Sequence, residues 1–164
     1  MISSQAAPTL ADQLRAECEE YGKLQSLLEE EHAALSNVQA ERVALITAEK
    51  QALYGRLQAL SRRRDACLAA DGIAAAPGAI KTWTERHPEH AQSVVAEWKR
   101  LTQLVRKTRR QNTLNGRIAS ALVQHFHSRL NLLAGSQGNA PATTYGRDGN
   151  PSVSLRPPGS IAQI

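Results

Sequence analysis

Aromatic residues are scarce in this chain: one Phe, two Trp and three Tyr among 164 residues. The apolar content is mostly Leu and Ala, which favours helices and thin seams over a broad core. Long apolar runs are missing as well. None approaches the roughly 18 residues that a membrane span needs, so no direct membrane insertion is expected. Met1 to Leu10 has neither a basic start nor an apolar centre, which argues against a secretory signal and for a cytoplasmic location. Only two cysteines occur, Cys18 and Cys67. Each lies on an apolar helical stripe, so both read as small buried hydrophobes, and nothing indicates an oxidising compartment for a disulfide.

The catalytic vocabulary is also missing. There is no glycine-rich phosphate loop, no nucleophile elbow and no zinc-type cysteine pair. His87-Pro88-Glu89-His90 has ligand-like spacing, but it straddles a helix start and has no third ligand in view. His125 and His127 are two apart, which on a helix sends them to different faces. The acidic residues of the first predicted helix form no acid–base pair. The chain therefore reads as a non-enzyme that needs no cofactor and no metal.

What the chain does have is charge, unevenly placed. The net charge is +5. Thr9 to Leu35 holds seven acids (Asp12, Glu17, Glu19, Glu20, Glu29, Glu30, Glu31) against Arg15 and Lys23. Lys99 to Arg117 holds seven bases (Lys99, Arg100, Arg106, Lys107, Arg109, Arg110, Arg117) and no acid. An acidic and a basic helix of one small protein can complement each other when packed together. Nucleic-acid binding is the sharper reading of the basic run, but no aromatic is interleaved with the charges and no groove-reading motif is present.

Helical periodicity organises the rest. Thr9 is a good N-cap with Asp12 three residues on. Leu10, Leu14, Cys18, Tyr21, Leu24, Leu28 and Leu35 then form a first stripe, and Gly22 does not break its period. Ser36-Asn37-Val38-Gln39 matches a capping box and predicts a turn into a second helix. Its stripe is Val38, Leu45, Ile46, Leu53, Leu57, Leu60, Cys67 and Leu68, ending at the C-cap signal Asp71-Gly72. Arg56, Arg62, Arg63 and Arg64 fall mostly off it and read as a solvated or salt-bridged face. Pro77-Gly78 closes a linker, residues 79–86 suit a short helix carrying Trp83, and Pro88 is placed to open a long one.

The long helix carries the most informative stretch. Trp98, Leu101, Val105, Thr108, Asn112, Asn115, Ala119, Leu122, Phe126 and Leu133 keep to one side of it. The stripe is apolar at both ends and carries two asparagines in the middle, where a buried amide weakens packing but fixes register. Gly116 follows at once, which predicts a close interhelical approach. The expected fold is all-α: an antiparallel helical hairpin (about 9–35 and 38–70), the short 79–86 helix and a longer helix over 88–134. At 1.5 Å per residue the hairpin helices reach roughly 40 and 50 Å and the long one roughly 70 Å. Its C-terminal half, with Leu114, Ile118, Leu122, Phe126, Leu130 and Leu133, should lack an internal partner and form a binding surface.

Residues 135–164 change character. Nine of these thirty residues are Gly or Pro, so a disordered tail is expected after a helical domain over 1–134. The tail holds Tyr145-Gly146-Arg147-Asp148-Gly149, a turn-like cluster with one aromatic.

Together these residues resemble the FlgN family of flagellar export chaperones. The resemblance rests on Leu27-Leu28-Glu29-Glu30-Glu31 with Ala34-Leu35; on Lys50, Leu53, Leu57, Leu60 and Arg64; on Trp98, Leu101, Asn112, Asn115-Gly116 and Ile118; and on a tail after Leu132-Leu133-Ala134-Gly135 that contains Tyr145-Gly146 and Asp148-Gly149. The Arg62-Arg63-Arg64 run is not part of that pattern. The resemblance implies a cytoplasmic chaperone for the two hook–filament junction proteins, hook-associated proteins one and three (FlgK and FlgL type). It would bind their C-terminal amphipathic helices through Asn112, Asn115, Gly116, Ile118, Leu122, Phe126, Leu130 and Leu133. It would then deliver them to the membrane-embedded export gate (FlhA type), with the export ATPase complex as a further contact. The resemblance places the gate contact at Tyr145, with Gly146 and Gly149 turning the backbone around it. Two other readings stand beside it: a coiled-coil scaffold that homodimerises through the same stripe, and a basic nucleic-acid-binding helical protein.

Overall fold

The computed structural model describes residues 9–135, which form four helices and no strand. They are α1 (Leu10–Ser36), α2 (Ala40–Ala70), α3 (Ala79–Arg86) and α4 (Ala91–Gly135). The all-α architecture read from the periodicity is what the described residues adopt. The chain divides into two units, Met1–Ser120 and Ala121–Ile164, and α4 continues from the first into the second.

In the first unit α1 and α2 form the antiparallel hairpin. Glu17 pairs with Arg64, Glu20 with Arg56 and Glu31 with Lys50, so positions rising along α1 meet positions falling along α2. Along α4, Glu97 meets Arg15 and Lys107 meets Glu29, so α4 runs parallel to α1 and the bundle is up-down-up.

α1 starts as its sequence dictates. Thr9 Oγ1 accepts from the Asp12 amide, and the Asp12 carboxylate accepts from the Thr9 amide at 3.1 Å, completing a capping box. The turn to α2 is where it was expected, but its chemistry differs. Ser36 and Gln39 do not cap α2. The Ser36 hydroxyl donates back to His32 O, and Gln39 makes no side-chain cap. Instead α1 ends in a Schellman motif: Gln39 N–H reaches Ala34 O and Val38 N–H reaches Leu35 O. This puts Val38 at φ 55°, a left-handed conformation that costs a β-branched residue about 1–2 kcal/mol. Val38 is accordingly exposed and no member of the stripe, and so is Leu45. α2 ends in the same motif, with Gly72 in the left-handed position and Ile73 N–H on Leu68 O.

α3 closes the end of the bundle where α1 begins. Its Ile80 and Trp83 pack with Leu10, Leu14, Cys18, Leu68, Val94 and Leu101 into the largest apolar cluster. Trp83 Nε1 donates to Asp71 at 2.5 Å, and the His87 ring stacks on Trp83 with centroids 4.3 Å apart. His87 and His90 thus belong to a turn that seats α3, and no cluster of metal-ligating groups occurs among the described residues. Pro88 lies in this turn, so α4 opens three residues later than expected, at Ala91.

Two smaller clusters continue the hairpin core: Leu24, Leu28, Leu53 and Leu57, then Leu27, Ala34 and Ile46. α4 contributes to neither. Its buried residues are Val94, Leu101, Thr108 and Asn115, seven apart each time. The seam is therefore one residue wide per heptad, where the alternating stripe promised two. Val105 and Ala119 are only half-buried, and Trp98 and Asn112 are exposed. A helix laid over the groove between two others buries its central row and leaves both flanks partly open.

Charge pairing also departs from the expectation. The acids of α1 are taken up mainly by α2, including Glu30 by Arg42, and of the basic run in α4 only Lys107 reaches α1, at 3.7 Å from Glu29. Arg64 accounts for part of its unexplained arginine run. It donates to Glu17 at 2.6 Å and lies 5.7 Å from the Trp98 ring centroid.

Glu17 is buried, and its Oε1 has no partner among the described residues. Burial pushes its carboxyl above the usual carboxylate range, while Arg64 pulls it the other way. A raised folded pKa contributes stability that is present below the unfolded value and is lost as pH rises through the folded one. Wild type should therefore gain stability relative to Glu17→Gln as pH falls from neutral towards 4.5, measured as the shift in urea midpoint. Asp12 and Glu20, whose carboxyls are held below their ordinary values by hydrogen bonds, act oppositely but equally in both proteins. A difference flat in pH would show Glu17 titrating alike in both states.

Candidate functional site

The residues singled out on α4 fall into two groups that the structure treats differently. Asn115 is 2% exposed, at the polar end of the seam. Its Nδ2 donates to Leu28 O at 2.8 Å and to Glu31 Oε2 at 2.9 Å. Its Oδ1 accepts from Gln111 Nε2 at 3.0 Å. Lys50 Nζ donates to both Glu31 oxygens at 2.9 Å and to Asn112 Oδ1 at 3.0 Å. One carboxylate, one ammonium and two amides thus join α1, α2 and α4. Both asparagine amides are bonded between helices, as their position in the stripe predicts.

Gly116 departs from its expected part. It is exposed, and a Cβ built there meets nothing within 4 Å, so no close approach depends on it. The gap at position 116 is open to solvent because the helix faces its neighbours through Asn115 instead.

The second group continues down α4. Ile118 and Leu122 are half-buried, while Phe126, Leu130 and Leu133 are 47%, 61% and 70% exposed. At 100° per residue Leu122, Phe126, Leu130 and Leu133 share one side of their helix. Val123 and Leu132 widen the apolar surface. Five large apolar side chains, Val123, Phe126, Leu130, Leu132 and Leu133, are exposed within the last thirteen residues of the helix. Tyr145, Gly146 and Gly149, and the tail that holds them, lie outside the described residues.

Glu31 and Lys50 escaped the reading as members of this site, although a signal existed. Stepping four and three from Leu10 gives Leu14, Glu17, Tyr21, Leu24, Leu28, Glu31 and Leu35. Both buried carboxylates of α1 therefore stand on the apolar stripe itself, where a charge demands a partner.

Among the described residues no helix is long and apolar enough to cross a membrane. Comparison with known families decides the affiliation: the family model described as FlgN protein matches residues 1–152. The chain belongs to the FlgN family. FlgN proteins are flagellar export chaperones, a family of binding proteins rather than of enzymes. No curated protein and no solved structure matches the chain. The FlgN match spans the hairpin, α3, all of α4 and part of the sequence beyond it, as the resemblance implied.

The polar junction makes a thermodynamic prediction. Lys50→Met leaves the Glu31 carboxylate largely buried without its cation and should destabilise the protein by about 3 kcal/mol. Lys50→Met combined with Glu31→Leu should recover most of that loss, because both charges are gone. Urea unfolding of the two singles and the double measures the coupling. Additive effects would show that the pair is not a unit.

Proposed function

We propose that this FlgN-family chain is a cytoplasmic chaperone for the hook–filament junction proteins, hook-associated proteins one and three. It binds the amphipathic helix at their C-terminal ends, keeps them from assembling early and delivers them to the export gate. The observation that carries this reading is the apolar face of α4 with half-buried Leu122 and exposed Phe126, Leu130 and Leu133. A helix with an apolar side left uncovered is suited to pairing with the apolar side of another. Ile118 precedes the face in sequence. Asn115 is buried and acts by positioning, while Asn112 and Gly116 stand at the edge of the surface.

In this reading residues 1–134 are the chaperone domain and 135–164 the delivery element. Tyr145 is the anchor on the gate, since one ring buries a large area with few rotatable bonds. Gly146 and Gly149 let the backbone turn around it, and the export ATPase complex is a further contact. A homodimeric scaffold is the second reading, because the same face of Phe126, Leu130 and Leu133 could cover a second copy.

Leu122→Asp with Phe126→Asp should weaken binding of a junction protein's C-terminal segment at least about thirtyfold, with an unchanged melting temperature. Isothermal titration measures it, and unchanged affinity in the folded variant overturns the reading. If wild type binds no such segment, a stable dimer in sedimentation supports the scaffold.

Tyr145→Ala should leave melting temperature and substrate binding intact while gate binding drops. The three are measured separately on the full chain. A melting temperature lower by several degrees would assign the ring to the fold instead.

A further inference from the structure

The seam side of α4 is occupied, but its opposite side carries a second pattern. Arg106, Arg110, Thr113 and Arg117 recur at steps of four, three and four, and all four are exposed. Two residues separate Arg106 from Thr108 and Asn115 from Arg117, about 200° around the helix, so this row faces away from the hairpin. Arg109 and Leu114, the latter 45% exposed, flank the row on its two sides. These six side chains line one open groove.

Among the described residues the charges in this groove are uncompensated. Arg100 has Glu97 and Lys107 has Glu29 within reach. Arg106, Arg109, Arg110 and Arg117 have no ion pair among the described residues. Like charges at steps of three and four repel along a helix, so the row costs stability within the chain. Nothing in the packing of α4 asks for it.

We infer that this face docks an acidic helical segment of a partner protein, with carboxylates stepped by three and four residues and an apolar side chain among them. A guanidinium fork matches a carboxylate bidentately. Positions 106 and 110 are about 6 Å apart along the axis, and 110 and 117 about 10.5 Å, the rise that carboxylates on a second helix reproduce. Leu114 separates this partner from a nucleic acid. It offers apolar area that a phosphodiester backbone does not cover, and the groove holds no aromatic on which a base could stack. The surface is distinct from the apolar face assigned to substrate and does not rest on that assignment.

The test uses the full chain and two synthetic helical peptides. One carries Glu at steps matching 106, 110, 113 and 117 with Leu at the step matching 114; the other carries Gln in place of Glu. Fluorescence anisotropy at low and raised ionic strength reads the binding. The Glu peptide should bind, more weakly as salt rises, and better than the Gln peptide. Arg106→Glu with Arg110→Glu and Arg117→Glu should weaken it about tenfold, since each exposed pair contributes modestly. Leu114→Asp should weaken it as well, while Leu122→Asp with Phe126→Asp should not. Circular dichroism checks the fold, and the corresponding Arg→Gln triple replaces the reversal if helix is lost. Absence of Glu-peptide binding, equal binding of the Gln peptide, or indifference to these arginine substitutions overturns the inference. So does tighter binding of a single-stranded RNA oligonucleotide or of phosphatidylglycerol vesicles than of the Glu peptide.

Discussion

Glu31 carries a carboxylate into a junction of three helices, and a charge taken out of water must be met there. Its desolvation alone costs several kcal/mol, so only a geometry that supplies both a cation and hydrogen bonds is tolerated. Lys50 supplies the cation from α2 and Asn115 the amide from α4. This requirement sets the relative register of three helices at once. A slip of α4 by one turn would leave Glu31 without Asn115, and a slip of α2 would leave it without Lys50. Apolar packing alone would not discriminate so sharply, because α4 puts no buried apolar residue beside the two distal clusters of the hairpin. Leucine tolerates many neighbours, whereas a half-satisfied carboxylate does not.

The same junction explains why so much of α4 remains available. A helix held by one residue per heptad needs little of its circumference for its own fold. Beyond Asn115 the apolar side chains no longer belong to a buried seam, and on the opposite side Arg106, Arg110 and Arg117 have no ion pair among the described residues. In a member of the FlgN family this is the helix on which both proposed contact surfaces lie.

Much of this was legible in the residues. Gly72 and Gly78 mark the end of α2 and the start of α3 because both adopt φ values that favour glycine, 69° and 91°. The stripe of α1 is the buried stripe. Other features were hidden by ambiguous chemistry. Ser36 and Gln39 fit a capping box, yet a serine hydroxyl near a helix end can equally bond backwards, and here it does. Val38 concealed the Schellman motif, because a β-branched residue is a poor advertisement for a left-handed turn. The one-residue seam of α4 was invisible, since a stripe shows which side is apolar and not how deeply a neighbour covers it. Gly116 raised an expectation of close packing that belongs to the asparagine before it.

The seam of α4 also has a direction. It reads Val94, Leu101, Thr108, Asn115, apolar where α3 closes the bundle and polar where the first unit ends. The apolar end is embedded in the largest cluster, while the polar end is secured by hydrogen bonds to one carbonyl and one carboxylate. Local opening is expected to be easier at the polar end of this seam than at its apolar end, which shares the largest cluster. Amide hydrogens between Val94 and Asn115 should therefore exchange more slowly towards Val94 than towards Asn115.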